Sequence, residues 1–401
     1  MTAAPIERTA VISGIGQSDV GRRLNRSELD LTVQAALAAI SDAGLTTADI
    51  DGLSTYPGMG FGPGGFAGPP SPEVHDALRL RLSWHDGGGE GPAQLRAVMS
   101  AVLAVAAGLA RHVLVYRTVT ESSAQGSGGR AGIGGAADSQ GVPRISGAMQ
   151  WALPFGAVSA ANWIALVAQR RVHEFGLTRA QLAQVALNGR RNAAENPKAV
   201  YRAPLTLEEY LEARMISTPL CLFDCDAPCD GATAVVVSHV DAAADVPHPV
   251  CQVHAMGTAL RGRPSWDQYE DMTSMAALDA GRSLWERADV AASDVDVAQL
   301  YDGFSILALV WLEALGFCGR GESGAFVDGG GRIARDGALP LNTAGGQLSA
   351  GRLHGFGLLH EACLQLRREA GARQVPGRCE VAVVTNGGGP LAGAMLLTRG
   401  I

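Results

Sequence analysis

Charge and aromatic rings are both scarce in this chain: of its 401 residues, 18% are charged and 5% are Phe, Trp or Tyr. The few charges sum to −7. Binding along a phosphate backbone needs concentrated Lys and Arg, so nucleic acid is not expected as a partner. Long hydrophobic runs are missing too. The longest largely apolar stretch, Ala97 to Ala110, falls short of the ~20 residues of a spanning helix. No membrane span is expected. The opening residues MTAAPIERTAVISGIG lack a charged segment followed by an apolar core, so no signal peptide is expected. The seven cysteines show no disulfide framework, which points to reduced thiols and a cytoplasmic protein. Fifty-two glycines occur without a Gly-X-Y period, which excludes a collagen-like chain.

What is present is apolar and long. At 47% hydrophobic the chain buries much surface, and its length calls for two or three domains or one duplicated fold. Strands are expected at Thr9–Gly16, Ile50–Tyr56, Val113–Tyr116, Gly231–Ser238, Val250–Gly257, Val297–Tyr301, Val381–Thr385 and Ala394–Thr398. Between them lie helical patterns at Ser27–Gly44, Gly91–Ala110, Met275–Arg287, Ser305–Leu315 and His354–Arg368. Such alternation implies α/β layers. Pro57–Pro72 and Gly126–Gly141 read as loops. Asn162–Phe175, Arg179–Asn196 and Leu207–Arg214 read as three successive helices, richer in Arg and Glu and without intervening strands. They mark an inserted helical subdomain.

An internal repeat organises the rest. Residues 31–56 (LTVQAALAAISDAGLTTADIDGLSTY) and 276–301 (AALDAGRSLWERADVAASDVDVAQLY) share helix, D-hydrophobic-D and strand in one order, at an offset of 245. Asp49 and Asp51 align with Asp294 and Asp296, and Tyr56 aligns with Tyr301. A second helix–strand pair, Gly91–Tyr116 and Leu353–Thr385, extends the duplication.

The last hundred residues hold the candidate site. Tyr301-Asp302-Gly303-Phe304, the stretch Asn342 to Gly355 and Asn386-Gly387-Gly388-Gly389 are three loops beside apolar elements. They bring together Tyr301, Arg352, His354 and backbone N–H groups near Gly388. Each residue also has a plain structural role open to it. His354 could be a hydrogen-bonded core histidine, Tyr301 could end a strand as Tyr56 does, and Arg352 could pair with Glu361 or Asp302. Cys221, Cys225 and Cys229 are spaced C-x3-C-x3-C, which does not fit a zinc site and reads as buried thiols. Gly132–Gly135 lacks the strand-to-helix context and acidic partner of a dinucleotide loop. Arg170-Arg171, Arg190-Arg191 and Lys198 read as solvated helix faces. His85 and Glu90 read as loop residues or pocket lining.

These motifs resemble the thiolase superfamily over essentially the whole chain. The resemblance rests on NGRRNAAENPKAVYRAPLTLEEYL from Asn188, Asp230-Gly231-Ala232, Tyr301 to Phe304, Leu315 to Cys318, Gly321 to Phe326, and Asn342 to Gly355. Within the superfamily the chain is most similar to the lipid-transfer-protein branch, related to sterol carrier protein thiolases. That branch includes retro-aldolases of steroid side chains with an OB-fold partner of the DUF35 type. The resemblance implies a duplicated α-β-α-β-α layered fold with an inserted helical loop domain. The halves would be residues 1–118 with 229–250, and 251–401, with 119–228 inserted. It also implies a homodimer, a DUF35-type subunit, an acyl-CoA substrate, and no cofactor beyond the coenzyme A of that substrate.

The departures from the family set the expected chemistry. Gly91 stands where a thiolase has its nucleophilic cysteine, and Asn386 stands where it has its acid/base cysteine. Neither can form or assist an acyl-enzyme. The family's histidine remains as His354. The expected activity is therefore acyl-CoA aldol cleavage through an enolate, giving a ketone and a shorter acyl-CoA. His354 and the Gly388 N–H would hold the enolate, and Tyr301 would serve as base if its neighbours lower its pKa. Arg352 stands at the position of a second tyrosine in the steroid aldolases and would stabilise charge. An acyltransferase using a later cysteine and an acyl-CoA-binding scaffold are the alternatives.

Overall fold

The computed structural model describes residues 5–58, 64–88, 93–125, 150–261 and 270–400. Glu90, Gly91 and Gly126–Gly141 lie outside the described residues, as does the middle of Pro57–Pro72. The chain begins with β1 (Ala10–Gln17), α1 (Glu28–Asp42), β2 (Gly52–Thr55), α2 (Ser71–Leu78), β3 (Trp84–Gly87), α3 (Ala93–Ala106), β4 (His112–Thr120) and the short α4 (Glu121–Ala124). The three expected successive helices follow as α5 (Ala160–Phe175), α6 (Arg179–Ala194) and α7 (Leu207–Glu212). After a small hairpin, β5 (Met215–Ser217) and β6 (Leu220–Cys221), come β7 (Asp230–His239) and β8 (Cys251–Leu260). The closing part is α8 (Met275–Arg287), β9 (Val297–Gln299), α9 (Ser305–Ala314), α10 (Ser323–Val327), a π-helical turn (Gly346–Ala350), α11 (Phe356–Arg367), β10 (Val381–Gly387) and β11 (Leu391–Arg399).

Among the described residues, nine strands form one mixed sheet in the order β3-β2-β4-β7-β1-β8-β11-β10-β9. Its centre is a short antiparallel junction, Val11 with Gln252 and Ile12 with Cys251. Outward from that junction, β1-β7-β4-β2 on one side mirrors β8-β11-β10-β9 on the other. Helix α1 packs on β1 and β7, α8 packs on β8 and β11, and α3 and α11 touch strands of both sides. Val98 and Val102 of α3 share one apolar cluster with Leu359 and Leu366 of α11 and with Val113, Val235, Val384 and Leu397 from the strands. The mixed α/β architecture agrees with the expected fold class.

The repeated D-x-D motif has the same physical role in both copies. Asp49 Oδ2 accepts from the Thr46 N–H and Asp294 Oδ2 from the Ala291 N–H, each at 2.8 Å, closing a 3-10 turn. Asp51 then accepts from the Arg111 and His112 N–H groups, and Asp296 from those of Glu380 and Val381. These donors open β4 and β10, which run parallel to β2 and β9. A carboxylate thus satisfies backbone donors at each strand entry. Close helix–strand approach is repeated as well. A Cβ on Gly14 of β1 would collide with the Ala39 carbonyl of α1, and one on Gly257 of β8 would collide with the Ala280 carbonyl of α8.

Three details differ from the sequence expectation. Helix α2 starts inside the expected loop, at Ser71. Strand β3 is an edge strand of sequence WHDG, with no apolar alternation to announce it. Strand β4 runs past Tyr116 through a fully buried Arg117 to Thr120. Among the described residues, no helix is long and apolar enough to cross a membrane.

Substituting Gly257→Ala forces α8 off β8. It is expected to destabilise the protein by about 1–3 kcal/mol, the cost of overpacking, read as a lower denaturant midpoint in equilibrium unfolding.

Candidate active site

The site is built around a charge inside a β-strand. Arg117 in β4 is fully buried, and its surroundings pull its pKa down to about 10 because burial disfavours the cation. Its Nη1 donates to the carbonyls of Tyr56 and Thr118, both at 3.1 Å. Its guanidinium carbon lies 5.4 Å from the Tyr56 ring centre and 4.9 Å from that of Phe66. Nη2 lies 2.9 Å from His354 Nδ1.

That last contact assigns the His354 tautomer. A guanidinium has donors and no acceptor, so Nδ1 must accept and Nε2 must carry the hydrogen of the neutral ring. His354 sits in the turn between the π-helical turn and α11, with φ +48° and its ring 4.8 Å from Phe66. It is therefore a fixed N–H donor. Nε2 faces Glu121 Oε2 at 3.7 Å.

Glu121 opens α4 directly after β4 and belongs to a second charged group. Arg352 Nη2 donates to Glu121 Oε1, and Arg352 Nε lies 3.6 Å from Asp226 Oδ2. Flanked by two carboxylates, Arg352 has its pKa pushed up despite burial. Its partners are thus Glu121 and Asp226, not the expected Glu361 or Asp302. Glu361 instead pairs with Arg373 and accepts from Thr343 Oγ1, while Asp302 Oδ1 accepts from the Gln347 N–H at 2.8 Å.

Tyr301 follows β9, its N–H donating to Thr385 Oγ1. The condition for Tyr301 as base is not met. Burial first, and Asp226 second, push its phenol up, outweighing the opposite pull of Arg352 and the Gln347 amide. A raised pKa favours the protonated phenol of Tyr301. Asp302 next to it has a carboxyl raised to about 7 by burial, against the downward pull of the Gln347 and Leu348 N–H groups. Gly346 allows that contact: a Cβ there would collide with Asp302 Oδ2, and its φ is +60°.

Gly388 does not offer the expected oxyanion donor. Its N–H donates to the Leu391 carbonyl at 3.0 Å, closing the β10–β11 hairpin. Asn386 is fully buried beside His354, with Nδ2 3.5 Å from the His354 carbonyl. Among the described residues its Oδ1 has no hydrogen-bond partner. All seven cysteines are free thiols, and no group of three or more His, Cys, Asp or Glu could hold a metal among the described residues. Cys229 lies beside this chamber, where a Cβ on Gly351 would meet its Sγ at 2.9 Å. Burial and the neighbouring Glu121 push its thiol up, away from a nucleophilic thiolate.

The basic residues expected on solvated faces are mostly occupied. Arg171 is buried in an ion pair with Glu313, and Arg190 is buried with Nε donating to Ser349 Oγ. Lys198 Nζ donates to the carbonyls of Gln17 and Ser18. His85 is exposed on the edge strand β3. Sequence reasoning does not find Arg117, Glu121 or Asp226. A signal exists for Arg117, a lone charge interrupting HVLVYRTVT; none marks the other two.

The chain is similar to known proteins. Residues 259–398 match the family described as thiolase C-terminal domain-like. The steroid side-chain-cleaving aldolase of Thermomonospora curvata is 37% identical over 397 residues, covering 96% of this chain and 97% of that protein. The 17-hydroxy-3-oxo-4-pregnene-20-carboxyl-CoA lyase of Mycobacterium tuberculosis is 34% identical, covering 96% and 98%. Among solved structures, an Ltp2-ChsH2(DUF35) aldolase superposes with TM-score 0.85 at 33% identity, covering 98% of this chain and 99% of that one.

Two measurements check the site. Imidazole ¹⁵N shifts of His354 are expected to report an acceptor Nδ1 and a protonated Nε2, and Arg117→Met is expected to give a mixture of tautomers. For Asp302, the folded carboxyl is raised to about 7 against about 3.9 unfolded, so the folded state binds the extra proton between those values. Its contribution to stability is full below about pH 4 and is lost as pH rises to about 7. Asp302→Asn is expected to flatten that part of the stability–pH curve in denaturant unfolding.

Proposed function

The chain belongs to the thiolase-like family that includes the steroid side-chain-cleaving aldolases, and from that premise we propose that it is a carbon–carbon lyase. Its substrate is a β-hydroxyacyl-CoA with a steroid-type side chain, cleaved to a ketone and a shorter acyl-CoA through an enolate. The observation that carries this reading is the replacement of a thiol chamber by one of fixed donors and charges. Asn386 stands in the place of the acid/base cysteine, His354 is held as an N–H donor by Arg117, and the raised pKa of Tyr301 favours its protonated phenol. Such donors, aimed where negative charge develops, each lower a barrier by ~3–4 kcal/mol.

The bond between Cα and Cβ breaks as the hydroxyl becomes a carbonyl, and the electron pair passes into the thioester enolate. Tyr301 donates to the thioester oxygen, and Arg352 adds positive charge nearby. Substrate and products are at the same oxidation level, so the reaction calls for no cofactor beyond the coenzyme A carried by the substrate. The superposed Ltp2-ChsH2(DUF35) aldolase bears a DUF35 component in its name, which supports an OB-fold subunit as this chain's partner too. A homodimer and a cytoplasmic location complete the proposal.

The test is incubation with a 17-hydroxysteroid side-chain CoA thioester, with and without a DUF35-type subunit. Ketone and propionyl-CoA are expected, and Tyr301→Phe is expected to lower kcat by ~10²–10³-fold. Mass spectrometry after exposure to acyl-CoA is expected to show no acyl adduct. An adduct on a cysteine, or an unchanged rate in Tyr301→Phe, would overturn the mechanism.

A further inference from the structure

If Tyr301 is a neutral donor, the proton of the β-hydroxyl must go elsewhere. Glu121 is placed to take it. Its side chain is 6% exposed, and only one of its oxygens is engaged, Oε1 by Arg352. Oε2 is buried with no hydrogen-bond partner among the described residues. An unmade bond at a buried carboxylate oxygen costs about 1–3 kcal/mol, so such an oxygen calls for a ligand. Asp226 supplies a second carboxylate to that guanidinium, its Oδ2 lying 3.6 Å from Nε.

What faces Oε2 is the N–H of His354. The two atoms are 3.7 Å apart, too far for a direct bond. One oxygen at about 2.8 Å from each spans that gap. A hydroxyl suits the place because it accepts from one side and donates to the other. The thioester oxygen does not, since it carries no hydrogen and would face the carboxylate with its own lone pairs.

We propose that Glu121 is the catalytic base of the cleavage, taking the proton of the substrate's β-hydroxyl while His354 Nε2–H holds the same oxygen. This rests on the aldolase reading and adds to it the group that starts the reaction. The O–H bond breaks and its proton forms a bond to Glu121 Oε2. The O–H electron pair becomes the π bond of the new ketone as the Cα–Cβ pair moves into the enolate. The enolate carbon then takes the proton back from Glu121, which leaves a carboxylate and a saturated acyl-CoA. Arg352 and Asp226 flank Glu121 from the α11 side and the inserted region, Arg117 stands behind His354, and Tyr301 occupies the end of β9.

The experiment uses the full chain with its DUF35-type subunit and the 17-hydroxysteroid side-chain CoA thioester. The unsubstituted protein must first turn over; its failure would count against the aldolase reading and not against Glu121. Glu121→Gln keeps an oxygen for Arg352 and removes the base. It is expected to fold with an unchanged circular dichroism spectrum, to lose ~10²–10⁴-fold in kcat, and to keep KM within about threefold. In Glu121→Ala, added formate or acetate is expected to restore turnover, faster with the more basic carboxylate. A Glu121→Gln rate within about threefold of the unsubstituted protein would overturn the proposal, as would a folded Glu121→Ala protein that no small carboxylate rescues.

Discussion

The contact between Arg117 and His354 sets the character of the chamber. A guanidinium buried in a β-strand is costly to desolvate and is retained only where its bonds and charge are used. Here two backbone carbonyls, two aromatic faces and one imidazole nitrogen surround it. Because the guanidinium can only donate, the imidazole can only present its other nitrogen as a donor. Everything beyond follows in alternating sign: the His354 N–H, the Glu121 carboxylate, the Arg352 guanidinium and the Asp226 carboxylate.

The duplicated scaffold explains how one chain assembles it. Arg117 and Glu121 come from the end of β4 in the first half of the sheet, and Tyr301, Arg352 and His354 come from segments around β9 and α11 in the second. Asp226 arrives from the stretch between the inserted helices and β7. Neither side of the β1–β8 junction holds a complete site. The D-x-D carboxylates anchor the entries of β4 and β10, and the middle layer of α3 and α11 locks both sides together.

Features with a local cause are legible in the chain. The repeat can be read because each copy carries its own turn-closing and strand-anchoring aspartate. The loss of both thiolase cysteines can be read because identity at a position needs no coordinates. Arg117 escapes such a reading because a charge marks the apparent end of an apolar run, though the strand continues through it to Thr120. Gly388 differs from its expected role because its N–H is consumed across the hairpin by Leu391, a partner no glycine motif reveals. The acids near Arg352 in the expectation, Glu361 and Asp302, are held by Arg373 and by the π-helical turn.

Sequence alone determined the layered α/β fold, the duplication, the three successive helices and the glycine and asparagine at positions 91 and 386, because periodicity, spacing and residue identity carry those directly. Tertiary structure alone decided which groups are acids, bases and donors. Protonation depends on burial and on neighbours from distant segments. His354 became an N–H donor through Arg117, which lies 237 positions away. Desolvation and Asp226 push the Tyr301 phenol toward its protonated form. Glu121 presents to His354 an oxygen with no hydrogen-bond partner among the described residues, because β4 and the turn before α11 end at the same place, a coincidence in space that no stretch of sequence contains.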